Sequence, residues 1–115
     1  MSALPKNGTL TRIDNAGAPT VTGVETWATG PAINVRVTID RPSKSQQISL
    51  GALLSKVSQV VYVMKSDLAV DAQILERDKV LAGQDGETAR LMKVIRREFY
   101  VFRSITHYEL FCQVM

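Results

Sequence analysis

Between Ile33 and Asp40 the chain alternates without a break: Ile33, Val35, Val37 and Ile39 are apolar, while Asn34, Arg36, Thr38 and Asp40 are polar. Successive side chains of a strand point to opposite faces, so this period of two predicts a strand with one buried and one wet face. Such a strand is not stable alone. Its apolar face must be covered by further strands or by a helix. Arg41-Pro42 ends it, because proline cannot donate to a ladder.

The rest of the chain carries the punctuation of a small β protein. Asp14-Asn15-Ala16-Gly17-Ala18-Pro19 has Asx and glycine turn chemistry between Thr9–Ile13 and Thr20–Trp27, which predicts a hairpin. Thr29-Gly30-Pro31 then breaks the chain again. Val60–Lys65 (VVYVMK) is apolar on both faces and predicts a central or doubly covered strand. Lys79–Leu81 reads as a short strand, followed by the turn Ala82-Gly83-Gln84-Asp85-Gly86 with its Asp-Gly pair. Leu91–Arg97 fits a helix or a strand, and the β-branched Val94 and Ile95 favour the strand. Phe99–Phe102 and Thr106–Val114 follow, with a bend near Arg103-Ser104. About seven short strands make the expected fold class all-β, a small barrel or sandwich forming one domain over residues 1–115.

Two segments interrupt that pattern. Ser43–Gln47 reads as a polar loop, and Ser49 as the cap of a short helix over Leu50–Val57. There Leu50, Leu53, Leu54 and Val57 stand at i, i+3, i+4 and i+7. Gly51 costs such a helix up to about 1 kcal/mol against alanine, and an ordered loop with apolar anchors fits the same residues. The insertion around residues 41–59 is therefore a long loop or a short helix. Asp67–Asp78 reads either as a single turn over Ala72–Leu75 capped by Asp71, or as a loop with Ile74 turned inward. Trp27 is assigned to core packing, with an exposed contact as the alternative.

A chain of 115 residues buries roughly two thirds of its unfolded surface, enough for one core. Its apolar runs, such as Val60–Met64, are far shorter than the roughly 20 residues of a membrane helix. MSALPKNGTL has no long apolar segment behind a basic start, so no secretory signal is expected. One cysteine cannot form an internal disulfide, which suits a reducing cytoplasm. The net charge of +3 is mild, but Arg90, Lys93, Arg96, Arg97 and Arg103 cluster in one segment. They form either a phosphate-facing patch or, the reading preferred here, a solvated or protein-contact face.

The sole histidine and sole cysteine, His107 and Cys112, lie five residues apart. On a strand over Thr106–Val114 that odd offset puts them on opposite faces, beyond the roughly 3 Å reach that a nucleophile and its base require. Cys112 then reads as a small buried hydrophobe on the face of Tyr108, Leu110 and Val114, and His107 as the partner of Glu109. Asp67, Asp71, Glu76 and Asp78 do not match the spacing of a calcium loop, and Asp71 and Asp78 fit capping and turn roles. Gly83 and Gly86 lack the Lys-Ser/Thr of a phosphate loop. No catalytic set, metal or cofactor is expected, and an enzyme is not the preferred reading.

The stretches VVYVMKSDLAVDAQILERDKVLAGQDGE, LMKVIRREFYVFRS and HYELFCQ, in that order, resemble phage head-closure (stopper) proteins, the small head–tail connector subunits of long-tailed phages. Ile74 and Asp78-Lys79-Val80 match the inward residue and the Asp-led short strand of that family. Gln84-Asp85-Gly86 matches its turn, and Tyr108-Glu109-Leu110 its last strand. The opening GTLTRIDNAG is also compatible. Arg90-Leu91-Met92 stands where the family often carries an aromatic. The resemblance implies a virion protein assembled in the host cytoplasm, a β-barrel subunit of a sixfold ring below the portal and its adaptor. The ring would help retain packaged DNA and offer a platform to tail terminator or tail-tube proteins. On that basis the insertion is expected to contact a neighbouring subunit or the portal side, with Leu53 and Leu54 as anchors and Arg41, Lys44 and Lys56 at the rim. Two other readings stand beside it: another small tail or neck completion protein, and an OB-type barrel binding single-stranded nucleic acid. The latter draws on Arg90–Arg103 with Phe99, Tyr100 and Phe102.

Overall fold

A computed structural model describes residues 6–16, 27–69, 72–102 and 105–115, and among these six strands close into one antiparallel barrel. They are β1 (Gly8–Ala16), β2 (Trp27–Asp40), β3 (Gln59–Met64), β4 (Lys79–Gln84), β5 (Arg90–Phe102) and β6 (Ile105–Val114). Around the barrel the order is β1-β2-β3-β6-β5-β4, and β4 returns to β1 through the register Thr9↔Gly83 to Asp14↔Lys79. Closure gives every strand a neighbour on both sides over part of its length.

The alternating run predicted from Ile33 to Asp40 is the second half of β2, and Val37 and Ile39 are buried within the barrel. Leu10, Val61, Val63, Met92 and Leu110 meet them there. Gly8 is required where β1 starts, since a Cβ would lie 2.5 Å from the Gly83 carbonyl oxygen. Gly86 has φ 84° in the turn after β4, as its Asp-Gly pair predicts.

Four expectations are corrected. The strands number six among the described residues, because Leu91–Arg97 and Phe99–Phe102 are one strand. Their pairing with β6 runs from Met92↔Val114 to Phe102↔Ile105, with a bulge between Val94 and Arg96. The break at Thr29-Gly30-Pro31 is a slip of register inside β2, between Arg12↔Ile33 and Asp14↔Thr29, where a bulge absorbs the proline that a regular ladder rejects. Asp14–Ala16 belong to β1 rather than to the turn. Residues 17–26, including most of the predicted strand Thr20–Trp27, lie outside the described residues. So do the Asp71 cap, the bend at Arg103-Ser104 and the side chain of Trp27.

The fourth correction concerns the insertion. Ser43–Gln47 is not a loop: α1 spans Lys44–Leu50 and a 3₁₀ helix follows over Gly51–Lys56. Ser43, not Ser49, is the cap, and Ser-x-x-Gln closes a reciprocal capping box. Gln46 N donates to Ser43 Oγ at 3.3 Å, and Ser43 N donates to Gln46 Oε1 at 2.7 Å. Gly51, at φ 54°, ends α1 and prevents a helix from running over Leu50–Val57. The insertion folds back onto the outside of its own barrel. Leu50, Val60 and Phe111 form a second buried cluster, against which Leu53, Leu54, Val57 and Tyr62 pack. This explains why β3 is apolar on both faces: Val61 and Val63 line the interior, while Val60 lies under the insertion.

Candidate functional site

Neighbouring strands of the barrel run in opposite directions. The β1–β2 hairpin, the β5–β6 hairpin and the connection from Lys65 to Asp78 therefore leave one end, and the insertion leaves the other. The β5–β6 hairpin extends beyond its neighbours. β4 pairs with β5 only from Arg90 to Lys93, and β3 pairs with β6 only from His107 to Cys112.

The bulge before Arg96 decides what this arm displays. Val94 lies opposite Cys112, on the interior face, but Arg96 lies opposite Phe111, on the exterior. One extra residue on β5 shifts its alternation by one. Arg96, Glu98 and Tyr100 therefore point outward with His107 and Glu109, while Arg97, Phe99 and Val101 continue the inner face beyond the core. Regular alternation from Met92 and Val94 would have turned Arg96 inward. Phe99 is 50% exposed and Val101 65% exposed, so apolar side chains stand in solvent at the far part of the arm.

The outer face of the arm holds a connected set of polar and aromatic groups. His107 Nε2 lies 3.1 Å from Glu109 Oε2, and its ring stacks on Tyr100 with centroids 5.6 Å apart. Gln46 Nε2, from α1, donates to Glu109 Oε1 at 2.6 Å and to the Tyr62 hydroxyl at 2.8 Å. Gln46 thus serves both its helix cap and the docking of the insertion. Burial pushes the Tyr62 hydroxyl above the ordinary tyrosine range. Tyr100 donates to Glu98, which raises its hydroxyl pKa to about 12.

Cys112 lies on the other side of the sheet, buried in the barrel, and desolvation raises its thiol pKa to about 12. His107 and Cys112 are separated as strand alternation requires. The thiol is protonated below that value, so iodoacetamide at pH 8 is expected to leave the native protein unmodified and to alkylate it in denaturant. Because the folded value is raised, this burial favours the native state below the unfolded thiol pKa. The contribution declines as pH rises from about 9 toward the folded value. Rapid native alkylation at pH 8 would contradict the burial.

The acidic residues are divided among separate contacts. Asp67 pairs with Lys6 at 2.7 Å, Glu76 accepts from the Arg97 amide at 3.3 Å, and Asp78 accepts from the Leu75 amide at 2.9 Å. Ile74 is turned inward and buried. Among the described residues no group of three or more His, Cys, Asp or Glu is placed to hold a metal ion. No helix among them is long and apolar enough to cross a membrane. The basic segment is likewise divided. Arg96 pairs with Glu98 at 2.6 Å on the outer face, and Arg97 lies 4.3 Å from the Tyr108 ring centroid on the inner face.

The five residues expected at a partner interface fall into two groups. Leu53 and Leu54 are half-buried against Phe111 and Val60, so they hold the insertion to its own barrel. Arg41, Lys44 and Lys56 are exposed. Ile48, which the sequence reading passed over, is 83% exposed on α1. The signal for it was the Ser43-x-x-Gln46 box, which starts the helix early enough to carry Ile48 outward. No family model, curated protein or solved structure matches this chain.

Proposed function

We propose that this protein is a structural subunit of a phage neck, a head-closure (stopper) component. In this reading copies form a ring, sixfold by the resemblance, that joins portal and adaptor to the tail and helps retain packaged DNA. One observation carries the reading beyond resemblance: a closed barrel exposes apolar side chains on two separate elements, the insertion and the β5–β6 arm. Ile48 stands exposed on the insertion, which also carries the exposed Arg41, Lys44 and Lys56, and Phe99 and Val101 stand exposed on the arm. Exposed apolar groups rimmed by polar ones mark contact surfaces, and a neck component needs one for the head side and one for the tail side.

The test is electron microscopy of the purified chain mixed with portal–adaptor complexes. A closed ring on the portal is the expected result, and Ile48→Lys is expected to abolish it while leaving the barrel folded. The second reading, an OB-type nucleic-acid barrel, rests on Phe99 and Tyr100 being half-exposed beside Arg96 and Arg97. Salt-sensitive binding of single-stranded DNA with no ring on the portal would replace the first reading with the second.

A further inference from the structure

We infer that copies of this chain associate head to tail through strand edges, the open edge of β5 in one copy pairing with the open edge of β2 in the next. The inference deepens the proposed ring by naming the contact between its subunits, and it rests on that reading for its biological setting only.

Both edges follow from the register. β2 pairs with β3 only from Thr38 to Asp40, so from Trp27 to Val37 its β3 side has no described strand beside it. β5 loses β4 after Lys93, and the chain ahead of β4 follows it a little further. Arg77 N donates to Val94 O at 2.7 Å, and Arg97 N donates to Glu76 Oε1 at 3.3 Å. Past Arg97 no described strand accompanies that edge. The two gaps, between β2 and β3 and between β4 and β5, are three steps apart in a circuit of six strands. They therefore open on opposite sides of the barrel.

The main-chain groups are aimed correctly. Ile39 exchanges hydrogen bonds with the Asn7 side chain on the β1 side, at 2.7 and 3.0 Å. Peptide groups alternate sides along a strand, so those of Asn34 and Arg36 point away from β1 to the open edge. Arg97 N faces Glu76, so those of Phe99 and Val101 point to the open edge of β5. Each edge is a template for another strand.

The side chains beside the two edges are complementary. On β5, Val101 is 65% exposed and Phe99 50% exposed, with one side of Phe99 against Tyr108 at 5.1 Å between centroids. Beside the open edge of β2 lies a recess of about 460 Å³, lined by Val35, Leu68 and Ala69 together with the polar Arg12, Asp67 and Gln73 among others. One side of the barrel thus offers apolar side chains next to unpaired backbone, and the other offers a recess of mixed apolar and polar lining next to unpaired backbone. Two different patches on opposite sides make a heterologous contact, which closes into rings or runs into filaments. The apolar side chains concerned expose on the order of 200 Å², against about 800 Å² per partner in a standard interface. One such contact is weak, and a closed ring gives each subunit two.

Sedimentation of the full chain over a range of concentrations tests this. Wild type is expected to self-associate. Val101→Lys or Phe99→Lys on the arm, and Ala69→Trp in the recess, should each weaken association about tenfold or more with an unchanged unfolding midpoint. Mixed, Val101→Lys and Ala69→Trp retain one intact edge each and should form one-to-one dimers and nothing longer. A wild type that stays monomeric at all concentrations overturns the inference, as do variants that associate normally. A Val101→Lys protein that loses single-stranded DNA binding while its association is unchanged also overturns it. Normal rings of Val101→Lys subunits on a portal would sink this contact and leave the proposed function standing. Edge-paired filaments that ignore the portal would support the contact and remove that function.

Discussion

Phe111→Ala is expected to lower stability by about 3–5 kcal/mol, the range for deleting a buried aromatic, and to loosen the insertion before the barrel melts. Phe111 is 1% exposed, yet it faces away from the barrel interior, under Leu50, Leu53, Leu54 and Val57. The cavity left by alanine would sit between the insertion and the sheet. Hydrogen exchange should therefore speed up over residues 44–57 while β4 remains protected. Leu110→Ala provides the contrast. It points into the barrel and should cost about 2–5 kcal/mol through the global transition, without selective exchange in the insertion. Equal exchange patterns for the two variants would show that the insertion and barrel are not separable layers.

Asp78→Ala is expected to cost about 3–5 kcal/mol, the range for breaking a buried charge pair from one side. Asp78 is 1% exposed. Its Oδ2 accepts from the Leu75 amide at 2.9 Å and lies 3.9 Å from Arg12 Nη1, which also donates to the Gln73 carbonyl at 2.6 Å. The carboxylate thus holds the turn that admits β4 and balances a guanidinium from β1 at the seam where the barrel closes. Asp78→Asn keeps an acceptor for Leu75 and loses the charge, so its unfolding midpoint should fall between wild type and alanine. The double variant Arg12→Met/Asp78→Leu removes both charges and should recover most of the loss. A double variant no better than Asp78→Ala would assign the effect to the turn rather than to the pair.

The arm and the insertion show where sequence reading stopped. Strand identity was legible in Ile33–Asp40, because burial on one face writes a period of two into neighbouring residues. An inward Ile74 was one of two alternatives open for Asp67–Asp78. The bulge before Arg96 could not be read, since one extra residue changes alternation only relative to a partner strand. Leu53 and Leu54 looked available to a partner because their spacing reports an apolar stripe but does not say what covers it. The capping box at Ser43 and Gln46 was visible in the chain, and weighing it against Ser49 would have moved the helix to its actual place and exposed Ile48.

By itself the sequence determined the strand-rich class, the turn at Asp85-Gly86 and the separation of His107 from Cys112. Each depends on residues within a few positions of one another, where backbone geometry alone decides. The tertiary structure decided that β4 closes on β1, that the insertion covers β3 and β6 from outside, and that two strand edges stay open on opposite sides. Those outcomes depend on pairing and burial between segments far apart in the chain, such as Gln46 with Glu109 and Arg12 with Asp78, where no local spacing records the partner.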